Sequence, residues 1–349
     1  MTTSEFHLTR PGALIAALPA VLGFVPEKSL VLVALEEGRM GAVMRADLSA
    51  DLADHVGRLA DLAATSGAET VVAVIVDADG ALCPMCNDDH RELSDTLSES
   101  LQAHGIGLFA VHVVDRVEAG GTWRCIDGCG AAGTVEDPAS SPVAVAAVLD
   151  GRRLYGRRSD LHAVVALTDP VRTATLIGPI SLQATEREAD WQADPDGRGR
   201  RDVQGVIDVA GRVLAGFQPG EAELAELACG LTDVAVRDTL YALAVGSEAA
   251  AAEALWALLC RTLPDPWRVE ALVLLAFSAY ARGDGPLAGI ALEAALRSDP
   301  DHRMAGMLDV ALQSGMRPEQ IRELTGTGYR LAKRLGVRLP PRRLFGRAG

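Results

Sequence analysis

Cys83-x-x-Cys86 and Cys125-x-x-x-Cys129 place four thiols in two close pairs, and four thiolates are the donor set of a structural zinc site. Zinc is therefore the cofactor these residues would take. The pairs lie far apart in sequence, and the second is spaced by three residues rather than two, so unconnected reduced thiols are the competing reading. Asp77-x-Asp79 follows a valine-rich run, the place where open α/β folds put ligand-binding groups, and two carboxylates there could hold a magnesium ion. An Asp-x-Asp-Gly run is equally what a turn needs. A catalytic cysteine requires a nearby base, and His90 and His112 are the histidines nearest these thiols in sequence. His112 alternates with apolar residues, so a half-buried strand position is its expected role.

Two basic clusters could hold anions. Arg152, Arg153, Arg157 and Arg158 surround Tyr155 and Gly156, and a short loop of this kind can clamp a phosphate or an acidic partner, or simply solvate a packed tyrosine. Beyond Pro318, Arg322, Arg330, Lys333, Arg334, Arg338, Arg342, Arg343 and Arg347 stand against only Glu319 and Glu323. Residues 319–337 are expected as two short helices with Gly326 and Gly328 between them, a shape able to dock on nucleic acid. Residues 338–343 are expected as a disordered arm that pairs with the acidic body or with an acidic partner.

The elements that must position these groups follow from periodicity. A helix over 12–22 opens at Arg10-Pro11 and closes at Gly23; an apolar strand follows over 29–35, a turn at Glu37-Gly38-Arg39, and a return strand over 42–48. Leu52, Val56, Leu59 and Leu62 mark a helix over 52–66, and residues 70–76 a buried strand. A helix over 92–103, a strand over 108–114, and a short return strand over 122–126 after Gly120-Gly121 complete an α/β domain with a mixed sheet. Its expected extent is 1–135. Nearly everything after the Ser/Pro link at 138–142 reads as helix, with starts at Ser141-Pro142, Ser159-Asp160 and Asp169-Pro170, giving an all-α domain over 141–335 and a basic tail over 336–349. Residues 193–201 are expected as a polar loop or a disordered excursion, with helix resuming near Val203.

The chain has 349 residues and a net charge of −14, which argues against whole-surface attraction to nucleic acid or anionic lipid. No charge-free run of about 18 apolar residues occurs, so no membrane span is expected. Residues 11–24 are interrupted by Pro19 and Gly23 and follow Glu5 and His7, which argues against an export signal. Six cysteines kept reduced fit a cytoplasmic location. No phosphate-binding glycine loop, serine-nucleophile elbow or helical histidine pair is present in the sequence.

Leu272, Leu275, Ala276 and Ala279, then Gly283, then Ala288, Leu292, Ala295 and Pro300 resemble a tetratricopeptide helix pair. A degraded upstream copy runs through Tyr241, Ala242, Val245, Ala254, Leu258 and Pro266, so two such pairs are expected near 238–305. Leu18-Pro19-x-x-Leu22-Gly23-Phe24-x-Pro26-Glu27-x-Ser29-Leu30-Val31, together with the cysteine pair at 125 and 129, Pro266-Trp267 and Arg282-Gly283-Asp284-Gly285, resembles an uncharacterised actinobacterial family, one of the catalogued domains of unknown function. That family's pattern has adjacent cysteines and a proline where this chain has Cys129-Gly130-Ala131. The resemblance implies a cytoplasmic protein and carries no activity and no functional residue.

The leading expectation is a non-catalytic adaptor: a helical domain whose groove or basic tail contacts a protein partner. The alternatives are a small-ligand or metal site, with or without enzymatic activity, at the sheet edge near Asp77, Asp79, Cys83 and Cys86, and nucleic-acid binding through the tail.

Overall fold

The computed structural model describes residues 10–36, 39–49, 51–81, 83–149 and 154–343, which divide into two compact units meeting at Arg158 and Ser159. The first unit contains α1 (Pro11–Leu22), β1 (Ser29–Glu36), β2 (Arg39–Asp47), α2 (Leu52–Thr65), β3 (Thr70–Val76), α3 (Pro84–Gln102), β4 (Gly107–Val114), β5 (Thr122–Cys125), β6 (Ala132–Thr134) and α4 (Pro142–Leu149). Its strands form one mixed sheet in the order β2-β1-β3-β4-β5-β6. Only β3 and β4 run parallel, and α3 supplies the crossover that a parallel pair demands. Leu30, Leu32, Val71, Ile75 and Val111 pack under Val56 and Leu59 of α2 and Leu97 and Leu101 of α3. The alternate residues Val31, Val33, Val72 and Val74 are buried too, which explains why β1 and β3 read as unbroken apolar runs.

Register decides what meets at the sheet edge. Ser29 at the start of β1 lies opposite Val76 at the end of β3, and Val76 lies opposite Val114 at the end of β4. The segments 24–28, 77–81 and 115–121 therefore converge on one edge. Gly23 ends α1 at φ 76°, in the left-handed region that glycine enters without a Cβ penalty, and turns the chain toward that edge.

The mixed sheet agrees with expectation, with three corrections. The helix expected over 92–103 begins two turns earlier because Pro84 occupies its first turn, where a missing amide proton costs nothing. A further strand, β6, pairs with β5 through Trp123 and Gly133. The boundary lies at 158, not 135–141, since α4 packs on α1 and Tyr155 donates its amide proton to Gly23 O at 2.8 Å.

The second unit is helical: α5 (Arg158–Val165), α6 (Pro170–Thr175), α7 (Ile177–Ala193), α8 (Pro195–Leu214), α9 (Glu221–Leu231), α10 (Val234–Leu240), a 3-10 turn at Tyr241–Val245, α11 (Ala249–Thr262), α12 (Trp267–Ala281), α13 (Gly285–Ser298), α14 (Arg303–Gln313) and α15 (Pro318–Leu335). α12 and α13 form the expected hairpin, turned at Gly283 with φ 84° and capped by Asp284, which accepts from the Leu287 amide at 3.1 Å. Every residue from Ala271 to Ala281 is buried, because α11, α13, α15 and the 3-10 turn enclose α12. A stretch apolar on all sides is a core segment, so residues 271–281 are enclosed by the chain itself and line no open groove. In place of an upstream repeat pair, α10 runs into the 3-10 turn before α11.

The loop expected over 193–201 is instead the start of α8. Asp194 accepts from the Gly197 amide at 2.9 Å, so the Asp-Pro-Asp-Gly run serves as a helix cap. The two short helices expected over 319–337 are one helix, α15, which crosses α10 at Gly328. A Cβ on Gly328 would stand 2.8 Å from Thr239 O and 3.0 Å from Asp238 O, backbone atoms that cannot turn aside. Gly328→Ala is thus expected to destabilise by about 1–3 kcal/mol through overpacking, whereas Gly326→Ala, whose Cβ meets only arginine tips at 3.7 and 3.8 Å, should stabilise by up to about 1 kcal/mol through helix propensity. Urea unfolding of the two variants checks the opposite signs.

Candidate functional site

Asp77 and Asp79 stand at the carboxyl edge of the sheet, but each is engaged separately. Asp79 is exposed and pairs with Lys28 at 2.7 Å, which raises the lysine pKa and lowers that of the carboxylate. Asp77 turns inward to His90, Oδ2 to Nε2 3.2 Å, where the histidine side chain is 7% and the aspartate 15% exposed. Among the described residues, Asp77 Oδ1 and His90 Nδ1 are buried without a hydrogen-bond partner. Lys28 is held at φ 40°, an uncommon conformation for a residue with a side chain, by a strand-edge contact from the Leu48 amide to its carbonyl at 2.9 Å. Beside it lies a cavity of about 460 Å³ lined by Pro26, Lys28, Val76, Asp115, Arg116 and Gly156.

Cys83 is the residue that precedes the first turn of α3, and Cys86 lies within that turn. Both are half-buried. The Cys86 amide and then the Cys86 thiol donate toward Cys83 and lower its pKa, while Cys86, as the donor, is raised. Gly80 lies between Asp77 and this pair: an added Cβ would collide with the Asp77 carboxylate and stand 3.1 Å from Cys86 Cβ. The missing side chain lets carboxylate and thiol share one pocket.

The four cysteines do not assemble as one set. Among the described residues, the group whose ligand atoms fall within 4.8 Å of one another is Cys125, Asp127 and Cys129, without Cys83 or Cys86. Gly128 and Gly130, at φ 90° and 73°, fold the β5–β6 turn so tightly that the Cys129 amide donates to Asp127 Oδ1 at 3.0 Å. Burial, then hydrogen bonding to Asp127, pushes the Cys125 thiol up to about 12. The cross-strand partner of Cys125 is His112, buried against the Trp123 ring at 5.2 Å, with its pKa lowered by burial and Nδ1 without a partner among the described residues. The sequence reading missed Asp127, although its central place in Cys-x-Asp-x-Cys is visible. It missed the proximity of His90 because placing the helix start at 92 hid the i, i+4 spacing from Cys86.

Arg152 and Arg153 lie outside the described residues. Arg157 and Arg158 reach Glu27 at 3.8 Å and Asp47 at 3.7 Å, so these two arginines face acidic neighbours within their own unit. The basic C-terminal stretch is not a free arm over 338–343. The Ser247 amide donates to Pro341 O at 2.8 Å, the Arg343 amide donates to Val245 O at 2.8 Å, and Arg342 stacks 4.6 Å over Tyr329. Arg330 donates to Thr327 Oγ1 at 2.7 Å, while Lys333, Arg334 and Arg338 are exposed.

Arg334 also borders a groove of about 770 Å³ in the helical unit, lined by Ala184, Cys229, Val234, Trp267 and Leu331. Val234 is 58% exposed there. Of the charges at the rim, Asp233 caps α10 through the Ala235 and Val236 amides, Asp238 pairs with Arg237, and Arg187 pairs with Asp202. No helix among the described residues is long and apolar enough to cross a membrane.

A family model described as a domain of unknown function (DUF4192) matches residues 11–319. No curated protein and no solved structure matches the chain.

Proposed function

We propose that this chain, which belongs to the DUF4192 family, is a cytoplasmic, macromolecule-binding protein of the adaptor kind, whose helical unit takes up an acidic, apolar-flanked segment of a partner protein. The observation that carries this reading is the groove with exposed Val234 and half-buried Trp267 on its wall and exposed Arg334 at its rim. The apolar wall and Arg334 suit a segment in which a carboxylate sits beside leucine- or phenylalanine-like side chains, with that carboxylate at Arg334 and away from Glu188, Asp233 and Asp238, which also line the groove. Nucleic acid is the less favoured occupant, because Arg342 and the residues around it are tied to the body and the overall charge is −14.

Selection of a random peptide library on the purified chain tests the reading. Peptides carrying Asp or Glu next to apolar residues are expected to enrich on the wild type and to be lost on Arg334→Glu. No such enrichment, or salt-sensitive binding of a single-stranded oligonucleotide that fails after charge reversal at Arg330, Lys333 and Arg338, would overturn it.

A second reading, metal binding by the α/β unit, is supported by the Cys125, Asp127 and Cys129 cluster. Two sulfurs and a carboxylate suit zinc. Elemental analysis of protein equilibrated with zinc and desalted is expected to give about one equivalent per chain, lost in Cys129→Ser and retained in Cys83→Ser. Equal zinc in both variants would contradict this assignment.

A further inference from the structure

We propose that Cys83 and Cys86 form a thiol–disulfide exchange centre, with Asp77 as the proton acceptor for Cys86 and, as the substrate, a disulfide small enough to reach two half-buried thiols. Cys83 is the residue that caps a 19-residue helix and Cys86 lies in its first turn, with two residues between them, so both thiols stand at the positive end of the helix. The neighbouring acid is an inward-facing carboxylate, backed by a buried imidazole, and Gly80 leaves it room to approach Cys86. Buried polar atoms without partners, Asp77 Oδ1 and His90 Nδ1 among the described residues, give that acid and its imidazole free capacity for a proton. The contrast between the two thiols points the same way. Cys83, lowered by the amide and thiol of Cys86, is the attacking sulfur, and Cys86, raised by its bond to Cys83, by burial and by Asp77, holds its proton until needed.

The steps balance without any further oxidant. The Cys83 thiolate attacks one sulfur of the disulfide; its S–S bond breaks, and the first leaving thiolate takes a proton from solvent. Cys86 then gives its proton to Asp77 and attacks Cys83 Sγ, breaking the mixed disulfide and releasing the second thiolate, which is protonated in turn. Protein dithiol and substrate disulfide become protein disulfide and two thiols. The substrate is reduced and the protein oxidised by the same two electrons.

Glutathione disulfide is the probe. The reduced full-length chain is mixed with it, quenched with acid at intervals, and mapped by peptide mass spectrometry, with exposed Cys129 as internal reference. The wild type is expected to form the Cys83–Cys86 bond and release two glutathiones per disulfide consumed; Cys86→Ser should stop with one glutathione on Cys83; Asp77→Asn should slow the second step by roughly 100-fold while leaving the first nearly unchanged. Modification of Cys129 ahead of Cys83, or failure of the wild type to form the internal bond, would overturn the centre. An unchanged second step in Asp77→Asn would remove Asp77 from it. Neither result bears on the helical groove, which lies in the other unit.

Discussion

Asp202→Ala is expected to lower the stability of the helical unit by about 3–5 kcal/mol, because it strands the Arg187 guanidinium inside the protein and takes one of its carboxylate partners from Arg198. Arg187 on α7 donates to both Asp202 oxygens, at 2.9 and 2.6 Å, and Arg198 on α8 approaches the same carboxylate at 3.0 Å. The side chains are 9%, 2% and 9% exposed for Arg187, Asp202 and Arg198, so water cannot take over the lost partner. Arg198 keeps Glu226 at 3.1 Å, but Arg187 would retain no carboxylate among the described residues. The apolar triple replacement Arg187→Met, Asp202→Leu, Arg198→Met should be far milder, neutral or stabilising, since a buried ion network repays its desolvation only when complete. Denaturant unfolding followed by circular dichroism checks both. Similar losses from the single and the triple variant would show that shape rather than charge governs the α7–α8 contact.

The second large effect concerns binding. Val234→Asp places a carboxylate on the apolar wall of the groove, where a bound acidic segment would meet like charge and where desolvating the new carboxylate has no compensation. A loss of at least about 100-fold in affinity for a library-selected acidic peptide is expected, in line with the several kcal/mol that central interface positions carry. Val234 sits at the start of α10 with 58% of its surface exposed, so the fold should tolerate the change. An unchanged melting temperature separates lost binding from lost structure.

How much of this was legible depends on the residues. β1 and β3 announce themselves as apolar runs because both faces of each are covered, and α1 ends at Gly23 as its turn chemistry requires. The first two turns of α3 were not legible: Met85-Cys86-Asn87-Asp88-Asp89 shows no apolar period, and only Pro84 marks the start. Asp-Pro-Asp-Gly at 194–197 has the composition of a turn, yet α8 extends through it because Arg198 and Asp202 become buried only as partners of each other and of Arg187. A charged residue that is buried by pairing looks like a surface residue in sequence. Gly328 likewise reads as a helix breaker until α10 is laid across it. The candidate sites divide in the same way. Cys-x-x-Cys and Cys-x-Asp-x-Cys are local patterns and can be read directly; the Asp77 to His90 contact and the groove beside Arg334 arise only from segments remote in sequence, brought together by the packing.

The central claim, that the helical unit holds a partner segment in the groove beside Arg334, is tested most directly by titrating a library-selected acidic peptide against the wild type, Val234→Asp and Val310→Asp. Val310 is 68% exposed and is not among the residues lining the groove. The account predicts that Val234→Asp abolishes binding and Val310→Asp leaves it intact. Equal affinities for all three, or equal losses in the two variants, would contradict it.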